Sequence, residues 1–240
     1  MRDGRCYHAS TASEPVVAVL VVCIMKPLLI IGTGDHALVV EDIARATDRA
    51  PIGFVSVHDG EALNDGAGAP LLGSLEGQMG WLAAHPEAEF VVAIGHNEAR
   101  AEAFAAMLRL GLLPTRLIHP TAVLLGGATV GAGSQVCANA VIGVGASVER
   151  NVIVNTGATI DHHDRLADHV FVGPGAHIAG RVTIGEGANV GIGATIRQGI
   201  SVGEWAMVAA GAAVVDDVPP HARWAGVPAR PMREPSEAVQ

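Results

Sequence analysis

The segment Asp161-His162-His163-Asp164 sets two imidazoles between two carboxylates. A histidine titrating near neutrality can take and return a proton, so these residue types suit general acid–base chemistry. A second chemical signal lies near the start of the chain, where Gly32-Thr33-Gly34-Asp35-His36 follows an apolar run. A turn of this kind can present backbone N–H groups at a helix N-terminus, a favourable place for phosphate. The glycine signal is weak alone, because GTGDHA lacks the full GxGxxG spacing and Asp35 carries a negative charge. The cysteines Cys6, Cys23 and Cys137 are widely spaced with no CxxC pair. They indicate neither a disulfide framework nor a thiolate zinc site, and fit a reducing cytoplasm.

The elements that must position these residues are legible from one period. From Ile118 to Val214 an aliphatic residue recurs at every sixth position without a miss, through seventeen positions that include Val136, Val154, Ile160, Val172, Ile178, Ile196 and Val208. A six-residue spacing matches neither an α-helix nor a half-buried strand, but fits a parallel β-helix in which each hexapeptide forms one side and three sides make a coil. Gly, Ala, Ser and Asn fill the intervals, as in VGAGSQ, IGEGAN and VGIGAT. Gly and Asn tolerate the positive φ that a sharp corner requires. An irregular Val/Gly-rich β domain would break so long a register.

Ahead of this repeat the pattern changes. Pro27 to Ile31 reads as a buried strand and Ala37 to Thr47 as a helix. Ile52 to Val57 reads as a second strand, then come a Gly-rich loop from Asp59 to Gly68, a helix around Leu75 to Ala84, a strand from Phe90 to Ile94 and a helix from about Asn97 to Leu110. Strands alternating with helices predict a small parallel sheet, with the glycine turn at its switch end. The expected organisation is an N-terminal extension over 1–24, an α/β Rossmann-like domain over 25–117, the β-helix over 118–218 and a tail over 219–240. The apolar run Pro15 to Ile24 follows Arg2 and Arg5 but is too short to span a bilayer, and it lacks a convincing cleavage site. A net charge of −9, with acids dispersed along the chain, leaves no basic footprint for nucleic acid, and no membrane partner is expected.

The ordered set IIGTGDHALVVEDI, GFVSV, VVAIGHNEAR, IHPTA, NTGATIDHHDRLADHVFVGPGAHIAG and AGVPARPM resembles the sialic acid O-acetyltransferase NeuD family, which includes bacterial nucleotide-sugar N-acetyltransferases. The resemblance covers about residues 26–232. It implies a homotrimer of left-handed β-helices, acetyl-CoA in the groove between neighbouring helices, and an N-terminal domain holding the nucleotide of an amino-sugar acceptor. It also implies site residues. His162 matches the general base, within the segment Asn155 to Asp164, and Gly180 matches the position whose amide faces the thioester oxygen. Ile192 and Ala210 fall where relatives contact the pantetheine arm. Phe171 stands where some relatives carry a second histidine that touches CoA. The residue after the base is commonly acidic but here is His163, so the orienting partner is open among Asp161, Asp164 and His163 itself. A neighbouring histidine cannot stabilise an imidazolium as a carboxylate does. On the acceptor side relatives carry an acidic pair where this chain has Ser56-Val57. Asp59 is the expected substitute, with Gly32, Thr33, Gly34, His36 and Asn97 near the nucleotide or sugar.

The reaction these assignments predict is direct transfer of acetyl from acetyl-CoA to an amine, with His162 taking the proton, the Gly180 amide supporting the oxyanion, and no metal. Transfer to a sugar or serine hydroxyl is the nearest alternative. A zinc hydrolase of the γ carbonic anhydrase type would use His119, His162, His163, His169 and His177, but zinc needs three convergent imidazoles. His163 and His169 are six residues apart, whereas His177 is two positions off that register. A trimeric scaffold without catalysis is the remaining reading that a repeat architecture permits.

Overall fold

A computed structural model describes residues 26–232. The expectations for 1–24 and for the end of the tail lie outside those residues. The N-terminal part is a five-stranded, fully parallel sheet in the order β3-β2-β1-β4-β5. Its strands are β1 (Leu28–Ile31), β2 (Gly53–Ser56), β3 (Leu71–Ser74), β4 (Glu89–Val92) and β5 (Leu113–Pro114). The helices are α1 (Asp35–Ala46), α2 (Leu75–Ala84) and α3 (Asn97–Arg109). β1 and the Phe90–Val92 part of β4 are buried apolar runs, as expected of strands covered on both faces. The edge strands β3 and β5 go unnoticed in the sequence. β3 is the short run LLGS with no alternation, and β5 is only two residues ending in Pro114.

From Leu117 onward the chain winds into a left-handed parallel β-helix of two-residue strands. Pairing runs at a spacing of eighteen residues, as in Val141↔Thr159↔His177 and Ile142↔Ile160↔Ile178, so each coil has three sides. The three faces are sheets of six, five and eight strands. The six-residue aliphatic positions are the second residues of these strands, and from Val130 to Val214 all of them are buried. Only the opening coil departs: Ile118 is half-buried and Leu124 is 38 % exposed, since no earlier coil covers them. Between the strands the chain turns through corners, where Asn139, Asn151, His163, His169, Arg181 and Trp205 join the glycines at positive φ. At the far end the segment Arg223–Ala225 adds to the eight-stranded face, Trp224 closes the core, and the AGVPAR stretch turns back to Arg230–Pro231.

The three corners differ in what they carry. The one between the eight- and six-stranded faces holds Asn155, Ile192 and Ala210, and the one between the six- and five-stranded faces holds His162, His163 and Gly180. The third docks the N-terminal domain. There Arg100 of α3 is 0 % exposed and meets no carboxylate among the described residues. Instead it donates to the carbonyls of Asn151, His169 and Val170 in the coil, to Ile94 and Gly95 after β4, and to Asn97 Oδ1. Burial lowers its pKa to about 10, which still leaves it charged at neutral pH.

Candidate active site

His162 and His163 form the tip of the turn between strands Thr159–Ile160 and Arg165–Leu166. Their Nδ1 atoms lie 3.2 Å apart. Such a contact requires one Nδ1 to donate and the other to accept. With Nδ1–H on His162, its Nε2 keeps a lone pair, the form a general base needs. His163 holds φ +60, which swings its ring back over the preceding coil, where Gly145 leaves room for it. Of the three candidate partners, His163 is the one whose side chain meets the His162 ring. Asp161 Oδ1 instead accepts the backbone N–H of His162 at 2.6 Å.

Asp164 requires a correction. Its side chain points into the coil, fully buried, and reaches neither imidazole. Oδ2 accepts from Asp161 N at 2.9 Å and Oδ1 from Val182 N at 2.8 Å. Burial pushes the carboxyl up to about 7 against the opposing pull of the two N–H donors. An aspartate two residues after His162 reads as an orienting group, but the corner turns it inward, into the column where other coils place Ala128, Ala146, Val182 and Ile200.

Gly180 lies one coil beyond His162, with Arg181 N bonded to His162 O at 3.0 Å. A β-carbon on Gly180 would fall 2.4 Å from His162 Cε1 and 2.5 Å from Nε2, so the ring occupies the space the missing side chain leaves. The Gly180 N–H meets no protein acceptor among the described residues. A lone-pair nitrogen beside a free N–H is an arrangement that can take a proton from a nucleophile and stabilise an oxyanion.

The remaining expected residues are not brought to this corner within one chain. Asn155 stands at the far edge of the six-stranded face, where its Oδ1 accepts from Thr156 N. Ile192, 56 % exposed, and Ala210 stack at that same corner, linked by Gly211 N to Ile192 O. Phe171 faces outward on the eight-stranded face between Ile153 and Asn189. Cys137 lies one coil before Asn155, buried, with its thiol raised to about 12 by burial, so no thiolate nucleophile is available there. His119 bonds Thr121, His177 bonds Thr159, and His169 is held between domains by Asn151 and Phe104. Among the described residues no three His, Cys, Asp or Glu side chains converge as a metal site.

In the N-terminal domain a cavity of about 540 Å³ opens at the carboxyl ends of β1, β2 and β4, the switch point of the sheet. Gly32, Thr33, Gly34, Asp35 and His36 form one wall. Gly32 has φ +119, and a β-carbon there would approach Ala93 O to 2.8 Å, so only glycine lets the two strand ends close. Gly34 caps α1 without a side-chain bond, leaving first-turn N–H groups for a ligand. His36 is anchored through Nε2 to Gln135 Oε1 at 2.8 Å, while Gln135 Nε2 donates to Val92 O. That orientation makes His36 Nε2 the donor and leaves Nδ1 an acceptor; burial lowers its pKa and keeps the ring neutral.

Two acceptor-side expectations change. Asp59 is exposed and does not line the cavity, whereas Glu61 does, accepting from Thr33 Oγ1 at 3.2 Å. The loop after β2 runs two residues further than the sequence suggests before returning an acid to the site. Asn97 is 4 % exposed and has no free polar atom: Nδ2 donates to Gly187 O and Ala188 O of the coil and Oδ1 accepts from Arg100. It is an interdomain strut. Glu61 carried no sequence signal beyond an acid in a Gly-rich loop, and Gln135 was hidden within the repeat.

Comparisons with known proteins agree with this architecture. Residues 27–107 match the PglD N-terminal domain and residues 165–198 match the bacterial transferase hexapeptide (six repeats). No curated protein sequence matches the chain. Among solved structures, a histidine variant of perosamine N-acetyltransferase from Caulobacter crescentus in complex with CoA and GDP-perosamine is 31% identical. Its TM-score is 0.82, and the alignment covers 88% of this chain and 98% of that one. The acetyltransferase domain of PglB from Neisseria gonorrhoeae, in complex with acetyl coenzyme A, is 36% identical with a TM-score of 0.78, over 86% of this chain and 99% of that one. Among the described residues no helix is long and apolar enough to cross a membrane.

Proposed function

The chain belongs to the hexapeptide-repeat acetyltransferases with a PglD N-terminal domain, and on that premise we propose that it transfers acetyl from acetyl-CoA to the amino group of a nucleotide-linked amino-deoxy sugar. The observation that carries the reading is the stacking of the His162 imidazole on Gly180, with a ring nitrogen and a free amide side by side. His162 Nε2 takes the proton as the acceptor nitrogen bonds to the acetyl carbon. The Gly180 N–H donates to the oxyanion, and collapse of the tetrahedral intermediate breaks the C–S bond and releases CoA. In this reading His162 Nδ1 donates to His163 Nδ1, and that contact leaves Nε2 with its lone pair.

The nucleotide is assigned to the 540 Å³ cavity, its phosphates to the α1 N-terminus, and Glu61 and His36 Nδ1 to donors on the base or ribose. The pantetheine arm is assigned to the corner of Asn155, Ile192 and Ala210, with Phe171 beside it. Since that corner and the His162 corner stand at opposite edges of one face, a working site takes one from each of two copies, which supports a homotrimer. The reaction is assigned to the cytoplasm, the compartment that the cysteine usage suggests. A hydroxyl acceptor, as in the NeuD O-acetyltransferases, is the second reading; the similarity to perosamine N-acetyltransferase favours the amine.

The test is an acetyl-CoA thiol-release assay against UDP-, GDP- and dTDP-linked 4-amino-4,6-dideoxy sugars, with the hydroxyl-bearing parents as controls. Turnover confined to amino sugars supports the reading. Turnover on the hydroxyl sugars alone moves the chain to the second reading, and no turnover with any of them rejects both.

A further inference from the structure

We infer that Asp164 is a positioning residue that sets the separation between the His162 imidazole and the Gly180 amide from inside the coil. The inference rests on the acetyl-transfer reading above. In the coils before Asp164 the equivalent turn closes on itself: Ala128 N donates to Leu125 O at 3.0 Å and Ala146 N to Gly143 O at 3.2 Å. One coil after Asp164 the turn Ala179-Gly180-Arg181-Val182 is not closed this way. Val182 N turns away from its own turn and donates to Asp164 Oδ1 at 2.8 Å. The other oxygen, Oδ2, takes Asp161 N at the foot of the turn that carries His162.

One buried carboxylate thus grips the two successive turns that hold the base and the oxyanion donor. The turn from Arg197 to Ile200, one coil further on, is open as well among the described residues, with Val182 beneath it, so the open turn is not itself the device. What Asp164 adds is the cross-coil strut, and that strut fixes the place where the ring and Gly180 meet. The cost shows that the arrangement is not a packing convenience. The column is otherwise Ala, Val and Ile, and a buried carboxylate there is worse for stability than the alanine used in two other coils. The chain also contains a neutral version of the same link at the docking corner, where Ser134 Oγ accepts from Val152 N of the next coil at 2.9 Å and donates to Glu149 O. Coil-to-coil tying therefore does not need a charge. What the carboxylate adds is a second acceptor, so that both turns are held at once.

The test compares Asp164→Ala and Asp164→Ser with the wild type in full-length protein, by kcat and KM for acetyl-CoA and acceptor, melting temperature, and a crystal structure of each variant. Asp164→Ala should melt at or above the wild type while kcat falls about 30-fold or more with KM for acetyl-CoA within about threefold. Its structure should show Val182 N without a coil-to-coil acceptor and Gly180 displaced from His162. Asp164→Ser, which restores the Val182 link alone, should recover part of kcat and provides the comparison should the alanine variant not fold. Folded variants with wild-type kcat, or structures in which Gly180 keeps its place under His162, overturn the inference. A wild type that transfers no acetyl group refutes the acetyl-transfer reading instead, and the Gly180 displacement in the crystal structures is judged independently of it.

Discussion

His162 Nε2 occupies the volume that a side chain on Gly180 would need, 2.5 Å from the position of its absent β-carbon. The pair is therefore coupled through a single methyl group's worth of space. Gly180→Ala should push the ring off its seat and lower kcat about 100-fold. Folding should be nearly unaffected, because what the added methyl meets is the half-buried His162 side chain, which can swing away, and not backbone. Steady-state kinetics alongside calorimetry checks this, and an alanine variant with wild-type turnover would remove Gly180 and His162 from the same step.

His163 adopts φ +60 at a corner where other coils use Gly127, Gly145 and Gly199 and the next coil uses Arg181. A left-handed conformation costs a non-glycine residue about 1 kcal/mol. His163→Gly should therefore hold or raise the melting temperature while lowering kcat about tenfold, since the Nδ1 partner of His162 is lost. His163→Asp should retain activity, with a carboxylate in place of the imidazole. Thermal melts and kcat of the two variants separate the structural from the chemical contribution.

The buried Asp164 carboxyl is raised from an ordinary value of 3.8 to about 7, chiefly by burial. The folded state thus binds this proton more tightly than the unfolded state. The group imposes no ionisation penalty below the unfolded value, and the penalty grows as pH rises through that window. The melting temperature of the wild type should fall relative to Asp164→Ala between about pH 4 and about pH 8. A difference that stays constant or shrinks with rising pH would contradict the sign.

Arg100 satisfies carbonyls from both the coil and the Ile94-Gly95 segment that lines the 540 Å³ cavity. Arg100→Met leaves these acceptors buried and unpaired. It should cost about 3 kcal/mol or more in unfolding experiments. In the folded fraction KM for the nucleotide sugar should rise while acetyl-CoA affinity, measured by calorimetry, holds. Loss of both affinities together would place the damage in the coil rather than at the cavity.

The coil was readable from sequence because its constraint repeats: each inward Val or Ile is dictated by the ones eighteen residues before and after it, as Ile142, Ile160 and Ile178 illustrate. Gly180 stands one coil after His162, although the family resemblance and not the period singles it out. What the pattern hides is direction at the corners. Asp164 and His163 are adjacent, yet one faces the core and the other the solvent, because His163 takes the left-handed turn between them. The same pattern misplaces Asn97. Polar residues at a helix start suggest ligand contact, but this one is consumed by a neighbouring domain that no local signal announces. Glu61 reached the cavity by a loop path with no periodicity to read.

The threefold cross-section gives the gene two different tolerances to insertion and deletion. Removing six residues from the repeat keeps every aliphatic side chain pointing inward, because one side is replaced by the next. It nevertheless rotates everything downstream by one corner, so that after a deletion between the two the position meant for Gly180 would no longer sit over His162. A change of eighteen residues outside the span from His162 to Gly180 keeps every corner in line and leaves that pair in adjacent coils. Length variation in steps of six is thus a route to stable coils with silenced chemistry, and whole-coil steps are a route to longer catalysts.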